Sequence, residues 1–398
     1  MEKKITVFGE LDETALRQIK NCTEEGQYGV LCADHHVGYS MPIGGAVAYK
    51  NYISPSGVGF DIACGNKAVM TNLMVDEIDT ANIMDEIVKQ IGFGLGRPNP
   101  SPVDHPVLDE IAKTDFKPQR EMLKKASKQL GTVGSGNHYV DLFSDEEGRL
   151  WIGVHFGSRG FGHDTAMGFL ALAEGKEFGA KPEKANKMDS PPVLLDVNMP
   201  LGQGYIQAMH LAGDYAYAGR DMVVNKVLEI LGGQSLFEVH NHHNFAWKEN
   251  HFGEDYWVVR KGCTPAFPKQ QSFVGATMGD DSVILEGVDS GLSKKSLYST
   301  VHGSGRIMSR TKAAGKTKWR NGKKVHVTRG EVNFKRVKEE MKAKGIVLRG
   351  GGADEAPEVY KKLDEVLKYH KDTIKVLHRL KPIGVAMAGD DVFDPYKD

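Results

Sequence analysis

The sequence predicts an α+β fold, one large domain with a mixed or antiparallel sheet core and surrounding helices. Strand-like and helix-like segments alternate without the regular strand–helix–strand rhythm of a Rossmann domain or an eight-repeat barrel. Chemistry-bearing clusters recur from Asp61 to His302 and need one shared interior to cooperate, so residues 1–398 read as a single domain, with an acidic C-terminal extension at 388–398. A composition of 40% hydrophobic and 26% charged residues can build a sizeable core.

Taken in order, apolar residues recurring every three or four positions predict a helix at 12–21, and a short apolar run predicts a strand at 28–32. A strand at 66–73 and a helix at 80–91 follow on the same grounds, then a helix at 118–129 and a strand at 150–156. Helical spacing returns at 164–176 and 204–231, separated by a Lys-, Glu-, Pro- and Asn-rich surface loop near 176–192. Strands bounded by Gly, Asp or Pro are predicted at 235–241, 255–261 and 282–287. Helices at 331–344 and 357–380 and a strand at 382–387 complete the pattern.

No run of eighteen apolar residues suggests a membrane span, and residues 1–10 lack the apolar core of a secretion signal, so a soluble, cytoplasmic protein is expected. Cys22, Cys32, Cys64 and Cys263 show no paired spacing, which fits a reducing compartment. The net charge of −1 hides a local imbalance: residues 306–349 hold fifteen Lys or Arg against three acids, Glu331, Glu339 and Glu340. Such a run is a solvated helical face or, given that it starts inside a histidine motif and includes Trp319, a track for a polyanion.

Glycine-rich patches coincide with the reactive side chains, as at Gly57 to Gly59, Gly131 to Gly136, Gly157 to Gly162 and Gly303 to Gly305. None fits the P-loop or dinucleotide patterns, which sets those folds aside. Asp61, Cys64, His138, His155 and His243 form a mixed hard and soft donor set suited to manganese, zinc or iron. Singly, each has a bland alternative, with Cys64 a packing residue and Asp61 a cap. Two divalent ions with about three protein ligands each need six bonds from these five residues, so one ligand is shared. A thiolate has lone pairs for bridging, which places Cys64 between Asp61 and His138 on one side and His155 and His243 on the other. His242 competes with its neighbour, and the residues alone leave that choice open. His302 remains for nucleophilic attack on phosphorus, for ligation of metal or for acid catalysis, with Arg306, Ser309 and Arg310 at helical spacing after it.

The ordered motifs Asp34-His35-His36-Val37-Gly38-Tyr39, Gly57-Val58-Gly59-Phe60-Asp61 with Cys64-Gly65, Gly134-Ser135-Gly136-Asn137-His138, His155-Phe156-Gly157-Ser158-Arg159-Gly160, His302-Gly303-Ser304-Gly305-Arg306 and Asp354-Glu355-Ala356-Pro357 with Tyr360 resemble the RtcB family of RNA-splicing ligases over nearly the whole chain. The resemblance implies joining of RNA 3′-phosphate or 2′,3′-cyclic phosphate ends to 5′-hydroxyl ends, in RNA repair or tRNA splicing, with GTP and two manganese ions. It further implies Asp61, Cys64, His138, His155 and His243 as metal ligands, selecting His243 over His242, and His302 as the guanylated nucleophile. Asn137, Asp141, Lys261, Thr277 and Tyr360 are the implied nucleotide contacts. Asp34 is expected to orient His302, and Arg159, Arg306 and Arg310 to meet phosphates and RNA ends.

Two departures from the family pattern bear on the nucleotide. Met387 stands where members carry a lysine that marks guanine, and Asp141 where a glutamate is common. A ligase relative with altered nucleotide specificity is therefore one alternative. A two-metal phosphohydrolase or nuclease is another, and metal-supported RNA binding through 306–349 a third.

Overall fold

The computed structural model describes residues 4–94, 97–99, 103–183, 188, 190–320, 323–390 and 392. Two sheets organise them. The larger contains, in spatial order, Gln271–Val274, Ser282–Gly287, Ile374–Gly389, Tyr139–Ser144, Arg149–Phe156, Gly65–Met74 and Ser235–His242, with Val347–Gly351 paired to Ile374–Gly389 off that path. Every pairing in it is antiparallel except the last. The smaller runs Lys4–Val7, Tyr28–His36, Ile43–Tyr49, Glu254–Lys261 and Asn244–His251, parallel only between its first two strands. This is the expected α+β class with mixed, mostly antiparallel sheets.

The larger sheet is covered on both faces, which explains why Leu150 to Phe156 is buried continuously instead of alternating. On one face, Val223, Val224 and Val227 of the helix Pro200–Leu231 pack with Val69, Ile152, Val154 and Phe156. On the other, Phe143, Trp151 and Phe273 meet Val337 and Met341 of the helix Phe334–Ala343. The helices begin where the sequence supplies caps: the Asp12 carboxylate accepts from the amides of Thr14 and Ala15 at 2.8 and 2.9 Å, and Asp79 does the same for Ala81 and Asn82. Pro200–Leu231 opens on its proline and stops at Gly232, whose φ of 66° is the left-handed cap.

Two predicted helices need correction. The segment 118–129 is two short helices, Lys117–Glu121 and Leu123–Gln129, meeting at Met122. The segment 357–380 holds only a single turn, Pro357–Val359, and the helix Leu363–Lys368, after which the chain becomes the sixteen-residue strand Ile374–Gly389. That strand absorbs the one predicted at 382–387. Pairing with Ser282–Gly287 on one side and Tyr139–Ser144 on the other overrides the local helical spacing. Of the expected acidic extension at 388–398, Ala388 and Gly389 end this strand, while 391 and 393–398 lie outside the described residues. The same holds for 184–187 and 189 of the expected surface loop.

His370 shows how the core holds neutral imidazole. Its Nε2 accepts from the Ala33 amide at 3.1 Å, its ring stacks on Phe8 at 4.2 Å, and burial pushes its pKa down to about 4. A depressed histidine favours folding above the unfolded pKa and loses that advantage as pH falls toward the folded one. Between pH 7 and pH 5 this group alone should remove about 2 kcal/mol of stability. Urea unfolding of the wild type and of His370→Gln at both pH values checks this: the pH-dependent loss should be smaller by that amount in the variant.

Candidate active site

Antiparallel neighbours in a sheet bring strand starts beside strand ends, and the larger sheet uses this at one edge. His138 immediately precedes Tyr139–Ser144, His155 is the penultimate residue of Arg149–Phe156, Cys64 immediately precedes Gly65–Met74, and His243 immediately follows Ser235–His242. The register ties them together, since Tyr139 and Asn66 both face His155, and Gly65 faces His242. A side chain at Gly65 would run into the Asn241 carbonyl, so only glycine lets these strands close beside Cys64.

Two three-residue groups result, Cys64 with His155 and His243, and Asp61 with Cys64 and His138, each with ligand atoms within 4.8 Å of one another. Cys64 belongs to both. Its Sγ lies 3.2 Å from His155 Nε2 and 3.8 Å from His138 Nε2, and His138 Nε2 is 3.2 Å from Asp61 Oδ2. Burial, followed by neighbouring cationic groups, keeps the pKa of both His155 and His243 far below the ordinary imidazole value, and neutral imidazole is the ligating form. Burial would raise the Asp61 carboxyl, but hydrogen bonds from His138 and Cys64 prevail and hold it ionised. The His243 Nδ1 is buried without a hydrogen-bond partner among the described residues, as suits a nitrogen reserved for an ion. This donor set fits a pair of divalent cations sharing the sulfur. His242 points elsewhere, its Nδ1 2.9 Å from Arg220.

His302 stands beside this cluster, its ring centroid 4.9 Å from that of His243. Its Nδ1 meets Asp34 Oδ2 at 2.6 Å, and the same oxygen accepts from the amides of His302 and Gly303. Burial opposes ionisation of Asp34, yet the adjoining His302 wins and lowers its pKa. With Nδ1 so engaged, Nε2 is the nitrogen available for chemistry.

A cavity of about 260 Å³ opens against His302. Among its walls are Asn137, Asp141, Thr277, Arg306, Tyr360 and Met387. Asp141 is forced toward its neutral acid by burial, and its Oδ1 has no hydrogen-bond partner among the described residues. Tyr360 carries Arg306 at 4.9 Å over its ring, and its hydroxyl accepts from Arg306 Nη1 at 2.8 Å. Arg310 is held by Asp354 at 2.9 Å and by Glu355. A second cavity, about 380 Å³, lies on the Asp61–His138 side and includes Arg159; Asn137 and Arg310 line both. Lys261 lines neither: its ammonium donates to the carbonyls of Tyr39 and Ser56 at 2.6 and 3.3 Å, and burial lowers its pKa to about 8. Sequence reasoning missed Arg220, a fully buried side chain in mid-helix with no local motif to mark it.

Fold and site together define an α+β protein with a thiol-centred candidate site for two cations beside a histidine–aspartate pair and a cavity of about 260 Å³. The sequence matches the family described as tRNA-splicing ligase RtcB over residues 16–118 and 109–388, and the chain belongs to the RtcB family. It is 31% identical to the tRNA-splicing ligase RtcB of Archaeoglobus fulgidus, covering 89% of this chain and 86% of that protein. It is 29% identical to the tRNA-splicing ligase RtcB of Aeropyrum pernix, over 94% and 91% respectively. With the RNA-splicing ligase RtcB of Escherichia coli the identity is 28%, over 88% and 87%. Among the described residues no helix is long and apolar enough to cross a membrane.

Proposed function

We propose that this protein is an RNA ligase that joins a 3′-phosphate or 2′,3′-cyclic phosphate end to a 5′-hydroxyl end, using GTP and two manganese ions through a histidine–GMP intermediate. The observation that carries the reading is His302: oriented by Asp34 through Nδ1, it faces both the ligand cluster and the cavity. Asp61 and His138 would hold one ion, His155 and His243 the other, with Cys64 between them. Bound there, the ions supply Lewis-acid neutralisation of phosphate charge.

His302 Nε2 attacks the α-phosphorus of GTP, forming a P–N bond as pyrophosphate leaves. An oxygen of the RNA 3′-phosphate then attacks that phosphorus, the P–N bond breaks, and GMP is carried on the RNA end. The 5′-hydroxyl attacks the RNA 3′-phosphorus, loses its proton and displaces GMP. A cyclic phosphate must first be opened by water. Asp34 holds the attacking imidazole in one tautomer and stabilises the charge it gains. Asn137, Asp141, Thr277 and Tyr360 would contact the nucleotide, and Arg159, Arg306 and Arg310 the phosphates; all but Arg159 line the cavity beside His302. The exposed Lys312, Lys316, Lys318 and Arg329, beyond Arg310, would carry the RNA backbone.

The test is ligation of a 3′-phosphate RNA to a 5′-hydroxyl RNA with manganese and each nucleoside triphosphate in turn; cleavage without joining under all conditions would overturn the reading in favour of a two-metal nuclease. Comparing the four nucleotides also shows whether Met387 and Asp141 have altered the preference for GTP. In Asp34→Asn the side-chain shape is kept and the charge lost, so adduct formation should slow by roughly 10²–10⁴-fold. Its nucleotide affinity should stay near that of the wild type, which single-turnover kinetics against nucleotide concentration will separate.

A further inference from the structure

Arg220 is fully buried on the helix Pro200–Leu231, and among the described residues it forms no ion pair. Its guanidinium is spent on four acceptors. Nη1 donates to the Ala63 carbonyl at 3.0 Å and to the Phe156 carbonyl at 2.6 Å, Nη2 meets His242 Nδ1 at 2.9 Å, and Nε donates to His240 Nε2 at 2.8 Å.

Three of these four partners are sequence neighbours of one candidate ligand group. Ala63 precedes Cys64, Phe156 follows His155, and His242 precedes His243. Ala63 also has a φ of 59°, a left-handed conformation that alanine adopts only when its surroundings hold it there. Asn244 is the other holder, its carbonyl accepting from the Ala63 amide at 2.7 Å.

We propose that Arg220 is a positioning residue that sets the spacing of the Cys64–His155–His243 triad by gripping the residue beside each ligand; this rests on the metal-binding reading above. A planar fork with fixed donor directions can hold three chain segments at once, which a lysine's single ammonium cannot. All three ligands of this triad are reached, whereas in the other group only the shared Cys64 is, because neither Asp61 nor His138 has a neighbour bonded to Arg220.

The test is titration of the metal-free full-length protein with Co²⁺, reading the thiolate-to-cobalt charge-transfer band that reports Cys64 ligation, in wild type, Arg220→Lys and His240→Ala. Outer-shell partners of metal ligands are typically worth roughly 10–100-fold in affinity, and a loss of that size is expected for Arg220→Lys at an unchanged circular-dichroism spectrum. His240→Ala cuts only the tie with no ligand beside it, so its affinity should fall by less than about tenfold, the lower end of such effects. Wild-type affinity in folded Arg220→Lys would overturn the proposal. Should that variant not fold, His242→Ala takes its place: a loss of about tenfold or more supports the proposal and a smaller one overturns it. If the wild type itself gives no charge-transfer band, the metal reading falls, and this proposal with it.

Discussion

His302→Ala should abolish the covalent nucleotide adduct. Incubation of the wild type with α-labelled GTP and manganese is expected to yield an acid-labile labelled protein, and the variant none, with ligation reduced on the order of 10⁴-fold or more. Among the described residues no neighbouring imidazole is free to substitute. His243 is the closest imidazole, but it belongs to the group around Cys64, and Asp34 lies on His302 alone among the cavity histidines. His36 also lines the cavity, yet its Nδ1 faces the Val37 carbonyl and burial lowers its pKa to about 4. Undiminished labelling of the variant would move the covalent step elsewhere.

Removing one sulfur atom should disable both cation sites. In Cys64→Ala each three-residue group loses its common member, and manganese affinity measured by equilibrium dialysis is expected to fall by roughly two to three orders of magnitude, leaving at most one weakly held ion. The side chain is small and its loss opens little space, so the folded state should persist. A variant that instead unfolds would favour metal serving structure alone. A variant that retains two tightly bound ions would sink the shared-thiolate arrangement.

Much of the site was legible because its residue types are chemically restrictive. Counting bonds against five donors predicted one shared ligand, the lone pairs of a thiolate pointed to Cys64, and Cys64 is the residue common to both candidate groups in the structure. The choice of His243 over His242 was not legible from the residues themselves. At a strand end consecutive side chains diverge, and only the tertiary position of Arg220 decides which imidazole is occupied. Arg220 itself carries no signal, since its partners lie as far as 157 residues away.

The fold was legible where periodicity was long, as in Pro200–Leu231, and failed where one pattern served two structures. Leu363, Val366 and Leu367 form a true helical stripe, but Ile374, Val376 and Leu380 fit helix and strand alike, and only the pairing partners 87 to 98 residues upstream decide between them. The strands Ile43–Tyr49 and Tyr139–Ser144 were missed for a related reason: each is buried along most of its length and shows no alternation to read.

The strand Ile374–Gly389 sits inside the larger sheet, between segments far upstream in sequence, and its Val385 and Met387 form part of the wall of the cavity beside His302. Ser282–Gly287 and Tyr139–Ser144 both pair with it, so the sheet is continuous behind this wall only while the strand is seated between them. Loosening that one strand would therefore split the sheet and open the cavity together.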